Sequence, residues 1–233
     1  CISFSLTSCA QKNNDIKVAA EQTVLYVHLL KGKNIAIVAN QTSVIGKKEK
    51  REEKREYVHL VDSLLSLGIS VKKVFAPEHG FRGDADAGEN VKDGFDTKTG
   101  LSVLSLHGKS KKPSDEQLKG IDMIVFDIQD VGARFYTYIS SLHYVMEAAA
   151  ENGIPVLIFD RPNPNGHYID GPVLEPEHSS FLGKHSVPLV YGMTIGEYGQ
   201  MINGEKWLKN GVQCDLTVIP LKNYTHNSEY SLT

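Results

Sequence analysis

A chain of 233 residues with 41% hydrophobic content can bury a full core, so disorder is not the default reading. The formal net charge of −3 comes from interspersed charges, so nothing argues for a nucleic-acid partner. Three cysteines, Cys1, Cys9 and Cys214, are too few for a disulfide scaffold and lack metal or redox spacing.

In chain order, the first nine residues read as the tail of an export signal. Leu6-Thr7-Ser8-Cys9 matches a bacterial lipobox, which predicts lipidation at Cys9, a polar tether over Gln11 to Asp15, and a periplasm-facing place in the cell envelope. No apolar run reaches the ~20 residues of a spanning helix, so lipid would be the only membrane attachment. The chain starts without Met or a basic leader and ends at Thr233 without a terminal helix, so it reads as a fragment. Beyond the tether, short apolar runs alternate with amphipathic stretches, the signature of βαβ units and a mostly parallel, doubly wound sheet with flanking helices. Strands are expected at Ile35 to Ala39, Val71 to Ala76, Val103 to Leu106, Met123 to Ile128 and Val156 to Asp160, with a sixth at Leu216 to Leu221. The mixed charged run from Lys47 to Arg55 reads as a solvated loop leading into a helix. Tyr57, Leu60, Val61, Leu64 and Leu65 mark that helix, closed by Gly68. A second helix carries Ile139, Leu142, Val145, Met146, Ala149 and Ala150 and closes at Gly153. Pro162 to Val190 lacks periodicity and is expected to be a long functional loop or subdomain. Thr194 with Glu197 predicts a capping box opening a short helix to Ile202. The expected division is a tether over 1–15, a Rossmann-like catalytic domain over 16–205, and the start of a smaller second domain over 206–233.

Ligands of open parallel sheets bind beyond the carboxyl ends of the strands. Four such ends carry polar side chains: Asn40-Gln41-Thr42, Pro77-Glu78-His79-Gly80-Phe81-Arg82-Gly83, Gln129-Asp130-Val131-Gly132-Ala133-Arg134-Phe135-Tyr136, and Asp160-Arg161-Pro162-Asn163-Pro164-Asn165. This convergence is the main functional signal. Each element also has a structural reading: Glu78 could pair with Arg82, Asp160 with Arg161, and Arg134 could cap a helix. Asp84, Asp86 and Glu89 read as a solvated acidic loop, without calcium-loop spacing. There is no Gly-x-Gly-x-x-Gly, Walker or Gly-x-Ser-x-Gly motif, which disfavours dinucleotide, nucleotide and serine-hydrolase sites.

The segments at Pro77–Gly83, Gln129–Tyr138, Asp160–Pro164 and Tyr191–Glu197 together resemble the NamZ-type exo-β-N-acetylmuramidases, formerly a family of unknown function. The resemblance implies release of terminal N-acetylmuramic acid from the non-reducing end of peptidoglycan fragments. It also implies a Rossmann-like domain and a smaller C-terminal domain that together form the cleft, and it places the catalytic acid at Glu78. Hydrolysis needs a protonated carboxyl plus a second carboxylate, for which Asp130 is the first choice and Asp160 the next. Phe81 or a like charge is expected to favour the protonated form of Glu78. Asn40, His79, Gln129, Asn163 and Asn165 are the expected hydrogen-bonders to the sugar. Arg82 or Arg134 would pair with its lactyl carboxylate, and Tyr136, Tyr138 and Tyr191 would pack on the ring. No cofactor or metal is called for. Two alternatives stay open: a metal-dependent hydrolase using His79, Asp84, Asp127 and Asp130, and a non-catalytic muropeptide-binding module. Oligomeric state is not legible.

Overall fold

Apolar runs that alternate to both faces need cover on both, and the computed structural model supplies it with helices on each side of one sheet. It describes residues 16–48, 55–83, 93–108, 110–230 and 232. Cys1, Cys9, the tether, and Asp84, Asp86 and Glu89 lie outside the described residues.

The elements are α1 (Thr23–Leu30), β1 (Asn34–Ala39), β2 (Val44–Lys48), β3 (Arg55–His59), α2 (Leu60–Ser66), β4 (Ser70–Ala76), β5 (Gly94–Phe95), β6 (Ser102–Ser105), α3 (Asp115–Leu118), β7 (Met123–Asp127), α4 (Tyr138–Glu151), β8 (Val156–Phe159), α5 (Ile195–Gly204) and β9 (Leu216–Ile219). Seven strands form one sheet in the order β5-β6-β4-β1-β7-β8-β9. All pairings in it are parallel except the two-residue edge β5. Counting the six parallel strands in chain order gives 3-2-1-4-5-6, the doubly wound Rossmann order, which reverses between β1 and β7.

Along β1, Ile35, Ile37 and Ala39 pack on one face with Tyr26 and Leu30 of α1 and Leu60, Val61 and Leu64 of α2. Ala36 and Val38 pack on the other, with Phe75, Phe126 and the apolar stripes of α4 and α5. Burying one Phe or Leu side chain this way contributes about 1.5–3 kcal/mol. Both glycines expected to end helices do so through the same geometry. Gly68 (φ 73°) donates to the Leu65 carbonyl while Ile69 donates to Leu64; Gly153 (φ 65°) and Ile154 repeat this on Ala150 and Ala149. These are paired Schellman bonds, and the left-handed φ they need costs glycine nothing. At α5, Thr194 Oγ1 accepts from Glu197 N and the Glu197 carboxylate accepts from Thr194 N, the expected capping box.

Three expectations change. Residues on either side of 49–54 form the antiparallel β2–β3 pair instead of a loop, and Tyr57 belongs to β3 rather than to a helix face. The helix α1 had no clear sequence signal, because Val24 and Leu25 are apolar yet exposed. The sheet also runs past residue 205: β9 pairs with β8, and Lys222 exchanges backbone hydrogen bonds of 3.0 Å with Lys17. The long segment after β8 is irregular, tied by bridges from Val190 to Ala133 and Asp170. No helix among the described residues is long and apolar enough to cross a membrane.

Candidate active site

The sheet order sets β4, β1 and β7 side by side, so Glu78, Asn40 and Asp130 follow adjacent strand ends. At ~4.8 Å per strand, the ends of β4 and β7 stand roughly 10 Å apart, within reach of facing side chains. The order reverses between β1 and β7, the switch point beyond which ligands of such sheets bind.

Thr42 ties the ends of β1 and β7 together. Its hydroxyl donates to Asn40 Oδ1 and accepts from Gln129 N at 3.0 Å. His59 supports Asn40 from below: its Nδ1 accepts from Val61 N, so its Nε2–H donates to the Asn40 carbonyl at 2.9 Å. Gln129 Nε2 donates to the carbonyls of Asp130 and Pro162 at 2.8 and 2.6 Å. Asp130 Oδ2 accepts from Gly132 N at 2.9 Å and from the Tyr191 hydroxyl. Among the described residues, three buried side-chain atoms lack a hydrogen-bond partner: Asn40 Nδ2, Gln129 Oε1 and Asp130 Oδ1. All three belong to residues within three positions of the ends of β1 or β7. A buried polar atom without a partner costs about 1–3 kcal/mol, so a cluster of them at these strand ends is a candidate place for a hydrogen-bonding group.

Burial pushes the Asp130 carboxyl up to about 6, against the Tyr191 and Gly132 hydrogen bonds that favour its charged form. Burial also raises Tyr138 to about 12, reinforced by the negative charges of Asp130 and Glu78, so these three side chains share one electrostatic neighbourhood. Tyr138 begins α4 beside Asn40. Glu78 is half-buried on the rim and accepts from Thr137 Oγ1 at 3.3 Å. It opens onto a cavity of about 410 Å³ that also reaches His107, Lys111, Phe181 and Leu182. His79 directly follows it with φ 71°, a left-handed conformation that is strained for a residue with a side chain.

Several predicted site residues are committed elsewhere. Arg82 does not pair with Glu78; it bonds Asp96 at 2.7 Å and Asp62 at 3.0 Å, and its guanidinium stacks on Phe81. Arg134 donates to the carbonyls of Pro172 and Val187, which pins the long loop. Arg82 is therefore taken by two carboxylates, whereas Arg134 is held through Nη1 alone and pairs with no carboxylate among the described residues. Asn163 donates to Met193 O and accepts from Asn165 N, while Asn165 donates to Val131 O and accepts from Tyr168, so both amides knit loops together. Asp160 does not pair with the Arg161 side chain. It accepts from Thr194 Oγ1 at 2.9 Å and from Gly196 N at 2.8 Å, bracing the start of α5. A Cβ on Gly196 would meet its carboxyl carbon at 2.7 Å, so the helix start fits closely over it. Burial raises Asp160, like Asp130, to about 6.

Arg161 clamps Asp127 instead, at 2.6 and 2.9 Å, with both side chains buried. That takes Asp127 out of the alternative metal set, and Asp84 of that set lies outside the described residues. The described group with metal-ligand spacing is Glu175, Glu177 and His178, all exposed and on the long loop. Tyr191 is 3% exposed with its ring edge on Tyr198, so it holds Asp130 instead of stacking on a sugar. Tyr136 and Phe135 remain exposed, with Tyr136 6.3 Å from Tyr138. Thr137, His59 and Thr42 were missed as parts of the site, since each acts through a partner distant in sequence.

The family model described as exo-beta-N-acetylmuramidase NamZ, N-terminal, matches residues 35–233. The peptidoglycan beta-N-acetylmuramidase NamZ of Bacillus subtilis (strain 168) is 42% identical over 240 residues, covering 100% of this chain and 55% of that protein. Two solved DUF1343 family proteins from Bacteroides fragilis NCTC 9343 superpose with TM-scores of 0.81. They are 46% and 37% identical, cover 94% and 92% of this chain, and are themselves covered over 55% and 52%. The chain thus spans about half the length of the relatives it matches. With a family model matched over most of its length and 42% identity across all of it, the chain belongs to the NamZ exo-β-N-acetylmuramidase family, in its N-terminal part.

Proposed function

We propose that the full-length protein is an exo-acting glycoside hydrolase that releases terminal N-acetylmuramic acid from the non-reducing end of peptidoglycan fragments in cell-wall turnover. The observation that carries this reading is the row of unsatisfied buried atoms on Asn40, Gln129 and Asp130, beside Glu78, at the reversal of the strand order. A sugar presents hydroxyl and acetamido groups that both donate and accept, which suits an amide N–H, an amide oxygen and a carboxylate oxygen at adjacent strand ends. Glu78 donates the proton to the leaving glycosidic oxygen. Asp130, with one oxygen held by Tyr191 and Gly132, is the second carboxylate on the opposite face. Exposed Tyr136 offers an aromatic face to the ring. The C-terminal part of the relatives, which lies outside the matched half, would complete the cleft. The name of the B. subtilis relative supports the substrate class.

Incubating the full-length protein with a disaccharide bearing N-acetylmuramic acid at its non-reducing end tests the reading. Free N-acetylmuramic acid is the expected product. Binding without release would point to a muropeptide-binding module, and loss of release in chelator to a metal enzyme; either result overturns the proposal. The Leu6–Cys9 motif supports an envelope location on a lipid anchor at Cys9. Incorporation of a fatty-acid label that disappears in Cys9→Ala is the expected result, and an unlabelled wild type would remove the anchor.

A further inference from the structure

The substrate proposed above differs from a glucosamine residue by one lactyl carboxylate, and a carboxylate entering a partly enclosed site needs a cation. Arg82 is paired with Asp62 and Asp96 and Arg161 with Asp127, while Arg134 donates to two loop carbonyls and does not line the cavity of Glu78. Lys112 is held by Glu147 and Glu151, and Lys184 lies on Tyr144, lining a different cavity. Lys111 differs from all of these. It lines the same cavity as Glu78, and among the described residues no carboxylate pairs with it. Its ammonium stands 4.4 Å from the centroid of the Phe181 ring, which also lines that cavity.

Two features hold Lys111 in place. The adjacent Lys112 is clamped to α4 by ion pairs of 2.8 and 2.6 Å, which anchors the loop between β6 and α3. The Phe181 ring face attracts the ammonium without neutralising it, so the charge is positioned yet remains free for an anion. His107, two residues beyond β6, lines the same cavity and can add a ring N–H donor.

We propose that Lys111 is the specificity residue of this site, reading the lactyl carboxylate of the saccharide whose glycosidic oxygen faces Glu78. This rests on the activity proposed above. A charge-assisted hydrogen bond contributes about 1.5–3 kcal/mol, equivalent to roughly 10- to 150-fold in binding. The test uses the full-length protein and two chromogenic glycosides, of N-acetylmuramic acid and of N-acetylglucosamine, with wild type, Lys111→Met, Lys111→Gln and Lys111→Arg. The expected result is a KM for the muramic acid glycoside raised by about 10-fold or more in Lys111→Met and Lys111→Gln. Their kcat should stay near wild type, their turnover of the glucosamine glycoside should not change, and Lys111→Arg should restore part of the preference. Melting curves that match wild type for either neutral variant exclude a folding defect. An unchanged muramic-to-glucosamine preference in folded Lys111→Met and Lys111→Gln overturns the role of Lys111 and leaves the activity standing. No wild-type turnover of the muramic acid glycoside removes both proposals.

Discussion

Two buried polar clusters lie on this domain, and they handle their hydrogen bonds in opposite ways. Beneath the long loop, Glu147 accepts only, so His143 Nε2–H points to it at 3.5 Å and His143 Nδ1 must accept from His185 Nε2–H at 2.9 Å. His185 Nδ1 then accepts from the Tyr198 hydroxyl at 3.0 Å, while Glu147 also takes Lys112 and Lys209 N. Every nitrogen of both imidazoles is spent. Burial lowers His143 to about 4 and His185 to about 3, so the rings stay neutral, and His185 stacks on Trp207 at 4.6 Å. The rim at β1 and β7 is just as dry but leaves an amide hydrogen, an amide oxygen and a carboxylate oxygen unspent. A closed network belongs to the fold, whereas an open one is completed by a ligand. Histidine content alone points to the closed cluster, which lines a separate cavity of about 570 Å³.

That contrast can be broken by substitution. The largest effect is expected at Glu78: Glu78→Gln in the full-length protein should lower release of N-acetylmuramic acid by about 10²- to 10⁴-fold while the unfolding midpoint stays in place. Near-normal turnover in a folded variant would remove Glu78 from the chemistry. Asp130→Asn comes next and separates charge from shape. Burial places the Asp130 carboxyl near 6 in the folded protein, against an ordinary value of 3.8. The folded state therefore keeps a proton that the unfolded chain loses, and wild-type stability falls as pH rises from about 4 to 7. That difference corresponds to about 3 kcal/mol. Urea unfolding at pH 4 and pH 7 should show that much less pH dependence in Asp130→Asn; Asp160, shifted in the same direction, still contributes its own share. Equal pH dependence in the two proteins would mean that Asp130 is not desolvated. The smallest effect belongs to the closed cluster. His185→Phe strands His143 and Tyr198 and should cost about 1–3 kcal/mol in urea unfolding with kcat/KM unchanged. Lost activity in a variant of undiminished stability would erase the distinction between the two clusters.

Much of the scaffold was legible because its signals are local. The parallel strands are short apolar runs buried on both faces, and α2, α4 and α5 carry their own glycine or capping-box ends. The β2–β3 pair hid in a charged run, and α1 hid because its apolar residues do not form one face. At the site, the sequence showed which residue types gather at the strand ends but not what each one touches. Asn163 and Asn165 look like sugar ligands until Met193, Val131 and Tyr168 claim them. Arg82 looks like a carboxylate reader until Asp62 and Asp96, 20 and 14 residues away, take it. Lys111 drew no notice because its value comes from lacking such a partner, which only the folded arrangement reveals.

The left-handed backbone at His79 gives the position two separable duties. A residue with a Cβ held there costs about 1–3 kcal/mol that glycine would not, so the turn immediately after Glu78 is kept by its surroundings against its own preference. Replacing the imidazole by a hydrogen atom would relax the main chain while deleting the ring, and replacing it by alanine would delete the ring while keeping the tension. Whatever separates those two proteins in rate belongs to the path of the chain beside the carboxyl group, and whatever they share belongs to the missing imidazole.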